Sequence, residues 1–102
     1  MQNRRKHVRV SIKAHVICIV NSRTMRGISR NLSQAGMQVE VPDLKMKDAV
    51  QLTFRLPISH ALVDAVGAVV WAGERRHGIR FNYIGEHSQR TIRQFIEEQI
   101  ER

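Results

Sequence analysis

Apolar and polar residues alternate with period two from Val10 onward. Val10, Ile12, Ala14, Val16, Cys18 and Val20 are apolar, and Ser11, Lys13 and His15 between them are polar. This is the pattern of a strand with one face in a core and one in water. Ile17 and Ile19 interrupt it, which predicts a far end covered on both faces. Asn21-Ser22-Arg23 reads as a polar turn, and Met25 to Leu32 as a second, poorer strand. Gln34-Ala35-Gly36 turns the chain again. Met37, Val39 and Val41 form a third strand that stops at Pro42, and Val50, Leu52, Phe54 and Leu56 a fourth that stops at Pro57. Ala61 to Ala72 is a long fifth strand with Gly67 marking a bend, and Ile79, Phe81 and Tyr83 alternate as the sixth.

The period then changes. Ile92, Phe95, Ile96 and Ile100 fall on one stripe of an amphipathic helix, with Ser88 the expected N-cap. Six strands on short connections followed by one helix predict an all-β architecture, a six-stranded antiparallel barrel with a C-terminal helix packed on it. With 102 residues the chain is expected to be one domain. Residues 1–9 read as a flexible basic arm, 10–84 as the barrel and 87–101 as the helix.

Charge adds what the pattern does not. The net charge is +8, and eight Lys or Arg precede Val39 without a single acid among them. Such asymmetry points to a polyanionic partner: nucleic acid, a nucleotide or an anionic surface. Cys18 is the only cysteine, so no internal disulfide can form, which fits a reducing cytoplasm. It lies in the apolar alternation and reads as a buried structural thiol. No signal peptide is visible, and the longest apolar stretch, broken by Asp64, is too short to span a bilayer.

Catalytic readings fail on the residues. Ser33 lacks the glycine two positions earlier that a nucleophile elbow needs. The five histidines are scattered without Cys partners or a helical i, i+4 pair, so no metal or other cofactor is expected. Two segments carry recognition chemistry instead. Arg5-x-x-x-Arg9, extended by Arg4, offers guanidinium forks for phosphate or for the O6/N7 edge of guanine. Asn31-x-Ser33-x-x-Gly36 offers short donors and acceptors beside a residue without a side chain. Each has a plain alternative. The arginine spacing recurs at Arg26/Arg30 and Arg76/Arg80, and Asn, Ser and Gly are ordinary turn residues. Trp71 reads as a core or rim anchor and is left out of the site. Arg80 reads as exposed, a secondary candidate for ligand contact.

In this order the two segments resemble the signature of the PilZ domain family: R-x-x-x-R, a first hairpin, then [DN]-x-S-x-x-G. The second begins 22 residues after Arg9, a gap suited to one hairpin. Gly67-Ala68-Val69-Val70-Trp71, Gly78-Ile79-Arg80-Phe81 and the helical Arg93-Gln94-Phe95-Ile96 are similar to the family as well. The resemblance implies a bacterial receptor for cyclic di-GMP, built on a six-stranded barrel. It assigns Arg5 and Arg9 to guanine and phosphate, Asn31 and Ser33 to a guanine edge, and Gly36 to leaving room for the ligand. Arg4 implies a stacked pair of ligand molecules. Asn31 departs from the commoner Asp, whose carboxylate would pair better with the two N–H donors of guanine.

The expected function is therefore cyclic di-GMP capture between the arginine arm and the barrel, which orders residues 4–9 and signals to an unidentified downstream protein. Motility, surface polysaccharide and biofilm control are all open outputs. Two other readings stand beside it. One is a nucleic-acid-binding barrel, supported by charge but not by the five aromatics. The other is a ligand-free adaptor acting through protein contacts.

Overall fold

The computed structural model describes residues 8–100. Arg4 and Arg5 lie outside the described residues. Six strands, β1 (Val10–Val20), β2 (Arg23–Leu32), β3 (Gly36–Glu40), β4 (Ala49–Arg55), β5 (Leu62–Ala72) and β6 (Arg76–Ile84), precede one helix, α1 (Glu86–Ile100). The strands close into a barrel in the order β1-β2-β3-β6-β5-β4, and every neighbouring pair is antiparallel. This is the six-stranded antiparallel barrel with a C-terminal helix that the alternation predicts.

Inward residues of all six strands build one core, among them Val16, Cys18, Val39, Leu52, Val63 and Ile79. Ile92, Phe95 and Ile96 of α1 join it, whereas Ile100, on the same predicted stripe, is exposed. The loop between β3 and β4 is stitched to the β5–β6 hairpin. Val41 N–H donates to Arg75 O at 3.1 Å and Lys47 N–H to Val69 O at 2.9 Å. Leu44 and Val41 go into the core from this loop. Buried His77 adds a third stitch, its Nε2 lying 2.9 Å from Val41 O. The carbonyl can only accept, so Nε2 carries the proton and donates.

Hairpin β1–β2 turns on Asn21 and Ser22 alone, both at positive φ (50° and 66°). That is the two-residue turn whose twist matches the flanking strands.

Two local expectations are corrected. Ser88 is not the N-cap: Gln89 N–H donates to Gly85 O at 2.9 Å, so α1 is capped at Gly85 and Ser88 lies inside its first turn. Its hydroxyl is engaged elsewhere, accepting Asp64 N–H at 3.4 Å. Ile17 and Ile19 are not covered on both faces. They sit on the outer face opposite Thr53 and Gln51 and are 43% and 37% exposed. A barrel has one interior, and Val16, Cys18 and Val20 fill β1's share of it.

Besides the slip between Ser11 and Ala14 against β2, three one-residue bulges interrupt the alternation. Ser29 pairs with Val39 and Asn31 with Gln38, which leaves Arg30 extra. Val69 pairs with Ile79 and Trp71 with Gly78, which leaves Val70 extra; Val66 pairs with Tyr83 and Gly67 with Phe81, which leaves Asn82 extra. Each bulge reverses the face on which the following residue emerges. Asn31, Trp71 and Tyr83 therefore point outward where strict alternation would turn them in. The bend expected at Gly67 falls at the last of these bulges. A Cβ at Gly67 would lie 2.5 Å from Arg80 O and 2.6 Å from Ile79 Cγ2, so only glycine fits there.

Among the described residues no helix is long and apolar enough to cross a membrane.

Cys18 is fully buried, and burial pushes its thiol up to about 11. The folded state thus holds the thiol proton through a range in which the unfolded chain, with an ordinary value of about 8.5, has lost it. Stability should be insensitive to this group below that range and fall as pH rises through it, by up to about 3 kcal/mol. Urea denaturation at pH 8 and pH 10 should show a steeper loss for the native chain than for Cys18→Ala. Equal slopes would place the thiol in contact with water.

Candidate functional site

A row of outward positions runs across five strands and passes the bulges at Arg30 and Val70. Ser11 pairs with Asn31, Asn31 with Gln38, Gln38 with Gly78 and Gly78 with Trp71. The next row runs from Gly36 to Arg80 to Ala68. Together with the β2–β3 turn they floor a cleft of about 290 Å³. Arg9, immediately before β1, contributes to its lining. The structure thus gathers Arg9, Asn31, Ser33 and Gly36, separated by up to 27 positions, in one place.

Their geometry differentiates them. The Ser33 hydroxyl, expected to read a base edge, is occupied by its own turn. It accepts Ala35 N–H at 3.1 Å and Gly36 N–H at 3.2 Å, and donates to Gly36 O at 3.4 Å. A hydroxyl has two lone pairs and one proton, so nothing is left over. Ser33 N–H also donates to Gly36 O, and Phe81 N–H to Ala35 O at 2.8 Å, which ties the turn to β6. Ser33 therefore shapes the cleft wall.

Gly36 has an equally structural reason. A Cβ there would lie 2.1 Å from Ile79 O, so the space it leaves is filled by the β6 backbone and not held open for a ligand. Asn31 is half-buried, and its Oδ1 accepts Gln38 N–H at 3.3 Å. The oxygen keeps a second lone pair, and the NH₂ keeps both its donors, for other partners. Ser29 is fully buried and its hydroxyl donates to Asn31 O at 3.0 Å, across the bulge that turns Asn31 outward.

Alternation did not place Trp71 here. Continued from Val63, Ala65 and Val69, it puts residue 71 in the core; the bulge at Val70 brings the indole outside. It lies on Gly78, where an added Cβ would be 2.1 Å from Nε1 and 2.6 Å from Cε2. The other side is open, since Trp71 is 42% exposed. A flat aromatic surface with one face on the sheet and one free is a platform for stacking. Gln38 and Arg80 complete the lining. Arg80 was legible as exposed from Ile79 and Phe81 beside it; Gln38 carried no signal.

The cleft is electropositive. No Asp or Glu lines it, and neither Arg9 nor Arg80 has an ion pair among the described residues. Glu40 sits one step further along β3 and holds Arg30 and Arg76 at 3.1 and 3.6 Å. The two guanidinium forks at the cleft are thus free for an anion, beside an aromatic face and a free amide.

The chain matches the sequence model of the PilZ domain over residues 3–98. No curated protein matches it. Among solved structures it is similar to the Bacillus subtilis inhibitor of motility MotI/DgrA, at TM-score 0.83 and 20% identity, covering 99% of this chain and 54% of that one. It is similar to the PilZ domain of YcgR from Escherichia coli with cyclic di-GMP, at TM-score 0.77 and 16% identity, covering 94% and 91%. It is similar also to the PilZ domain of CeSA from a cellulose-synthesizing bacterium, at TM-score 0.71 and 14% identity, covering 90% and 97%. The chain spans about half the length of MotI/DgrA and nearly all of the two isolated domains.

The seating of Trp71 on Gly78 is directly testable. Gly78→Ala should lift the chain's single tryptophan off the sheet, and its fluorescence emission should move to longer wavelength with the far-UV circular dichroism intact. Unchanged emission would mean that the indole rests elsewhere.

Proposed function

The chain belongs to the PilZ domain family, and from that premise we propose that it is a receptor for cyclic di-GMP. The observation that carries this reading is the meeting, in one cleft, of an open indole face, an amide and two guanidinium groups that have no ion pair and no acid beside them among the described residues. The ligand has two phosphates and two purines. Guanidinium forks suit both the phosphates and the O6/N7 edge of guanine. An indole suits a purine face, and stacking of this kind is worth about 1–3 kcal/mol.

In this reading Arg9 grips phosphate or guanine from the start of β1. Asn31 meets a base, Trp71 supports one, and Arg80 adds a second cation. Ser33 and Gly36 act through the wall they build: the first locks the turn, the second admits the β6 backbone. Arg4 and Arg5 come into the grip through the motif they share with the family, and Arg4 supports a second, stacked ligand. The domain binds and does not catalyse, so the signal passes to a downstream protein in the cytoplasm. MotI/DgrA is named an inhibitor of motility, which makes motility one output to examine.

Calorimetric titration with cyclic di-GMP, with GTP as control, tests the reading. Micromolar or tighter binding is expected for cyclic di-GMP alone. Arg9→Ala should weaken it at least tenfold, because a charge-assisted contact to an anion is lost. A stoichiometry of two would assign Arg4 its role, and Arg4→Ala should return it to one. Absence of heat with cyclic di-GMP sinks the receptor reading. Oligonucleotide binding that falls steeply with salt would favour a nucleic-acid partner in its place.

A further inference from the structure

The base-reading edge of the cleft consists of amides, and this has a consequence for the ligand. In the row Asn31–Gln38–Gly78–Trp71, strands are about 4.8 Å apart. A purine stacked over the indole on Gly78 therefore presents its edge toward Gln38, with Asn31 one strand beyond. The Asn31 oxygen accepts Gln38 N–H with one of its two lone pairs, so Asn31 offers this edge an NH₂ donor and one remaining acceptor site. The Gln38 side chain is half-buried, lines the cleft and makes no hydrogen bond with any described residue. Its amide can turn either end to a base.

Guanine's Watson–Crick edge carries N1–H and N2–H donors beside the O6 acceptor. Adenine's carries the N1 acceptor beside the N6–H donor. A carboxylate accepts only, so it matches the guanine donors and repels the adenine N1 lone pair. The Gln38 amide matches either base by half a turn about its last bond, and Asn31, held by Gln38 N–H, still presents both a donor and an acceptor lone pair. A carboxylate in this row would thus select guanine, whereas two amides do not reject adenine. The arginines act at the other kind of edge, since their forks match guanine O6/N7 and not adenine N6/N7. A ligand with one base of each kind satisfies both halves of the site.

We infer that Gln38 and Asn31 form a purine-tolerant reader, so that the cleft takes a mixed cyclic dinucleotide, one guanine and one adenine joined by two phosphates, about as well as cyclic di-GMP. This rests on the receptor reading above and names a ligand class for the same cleft.

The test is calorimetric titration of the full chain with cyclic di-GMP and with cyclic GMP–AMP. The unmodified chain should bind the two within tenfold of each other. Gln38→Glu should widen the preference for cyclic di-GMP at least tenfold, chiefly by losing the mixed ligand. Asn31→Asp keeps an acceptor for Gln38 N–H and should shift the preference the same way, which preserves the test should the first variant misfold. A preference above tenfold in the unmodified chain overturns the inference, as does an unchanged ratio in folded variants that still bind. Binding of neither ligand by the unmodified chain overturns the receptor reading and this inference together.

Discussion

A five-residue strand has to serve two neighbours in a closed barrel, and the site depends on how it does so. β3 pairs with β2 on one side and β6 on the other. Its fit to β2 takes an extra residue at Arg30, and its neighbour β6 meets β5 with an extra residue at Val70. These two slips set which side chains emerge on the outer face. Without them Asn31 and Trp71 would compete for the interior with Leu32 and Val69, which are buried there. Gly36 and Gly78 serve the same close approach. One admits the β6 backbone against β3, and the other lets an indole lie flat on the sheet. Fold and binding surface thus share one set of backbone contacts, and substitutions at these glycines act on both.

The cleft also depends on charges that lie outside it. Glu40 pairs with Arg30 and Arg76 on the same outer face, leaving Arg9 and Arg80 without a carboxylate partner among the described residues. Exposed pairs of this kind contribute little to stability. Their value here is in distribution: two of the arginines close to the row share the single charge of Glu40, and those that line the cleft have no carboxylate partner among the described residues. A small dianion with flat bases suits that arrangement. A long polyanion would draw on the whole basic surface and would gain less from one indole platform.

The residues of the two motifs work in two ways. Arg9 and Asn31 keep groups available to a ligand, although one Asn31 lone pair is spent on the Gln38 backbone. Ser33 and Gly36 are consumed by the turn and by β6. A fixed spacing of Asn, Ser and Gly therefore marks a wall as much as a set of contacts. The turn chemistry of these residues and their place on the cleft belong to the same segment, because the turn is the cleft's side.

By itself the sequence determined the strands, the helix, the closed core and the basic character of the N-terminal third. Period-two runs of Val, Leu and Ile bounded by Pro, Gly and Asn suffice for the first three, since each element must bury its apolar face. An acid-free run of eight cations suffices for the last. It also carried the two motifs and, through them, the family. Only the tertiary structure decided what lies beside them. Trp71 reads as a core or rim anchor, and the bulge that turns it out onto the cleft has no mark in the sequence. Gln38 reads as one more polar position on a strand. Whether it faces open water or a cleft depends on β2 and β6, distant in the chain. A bulge is a compromise between two paired strands, so the residues it turns outward become visible only when both strands are in place.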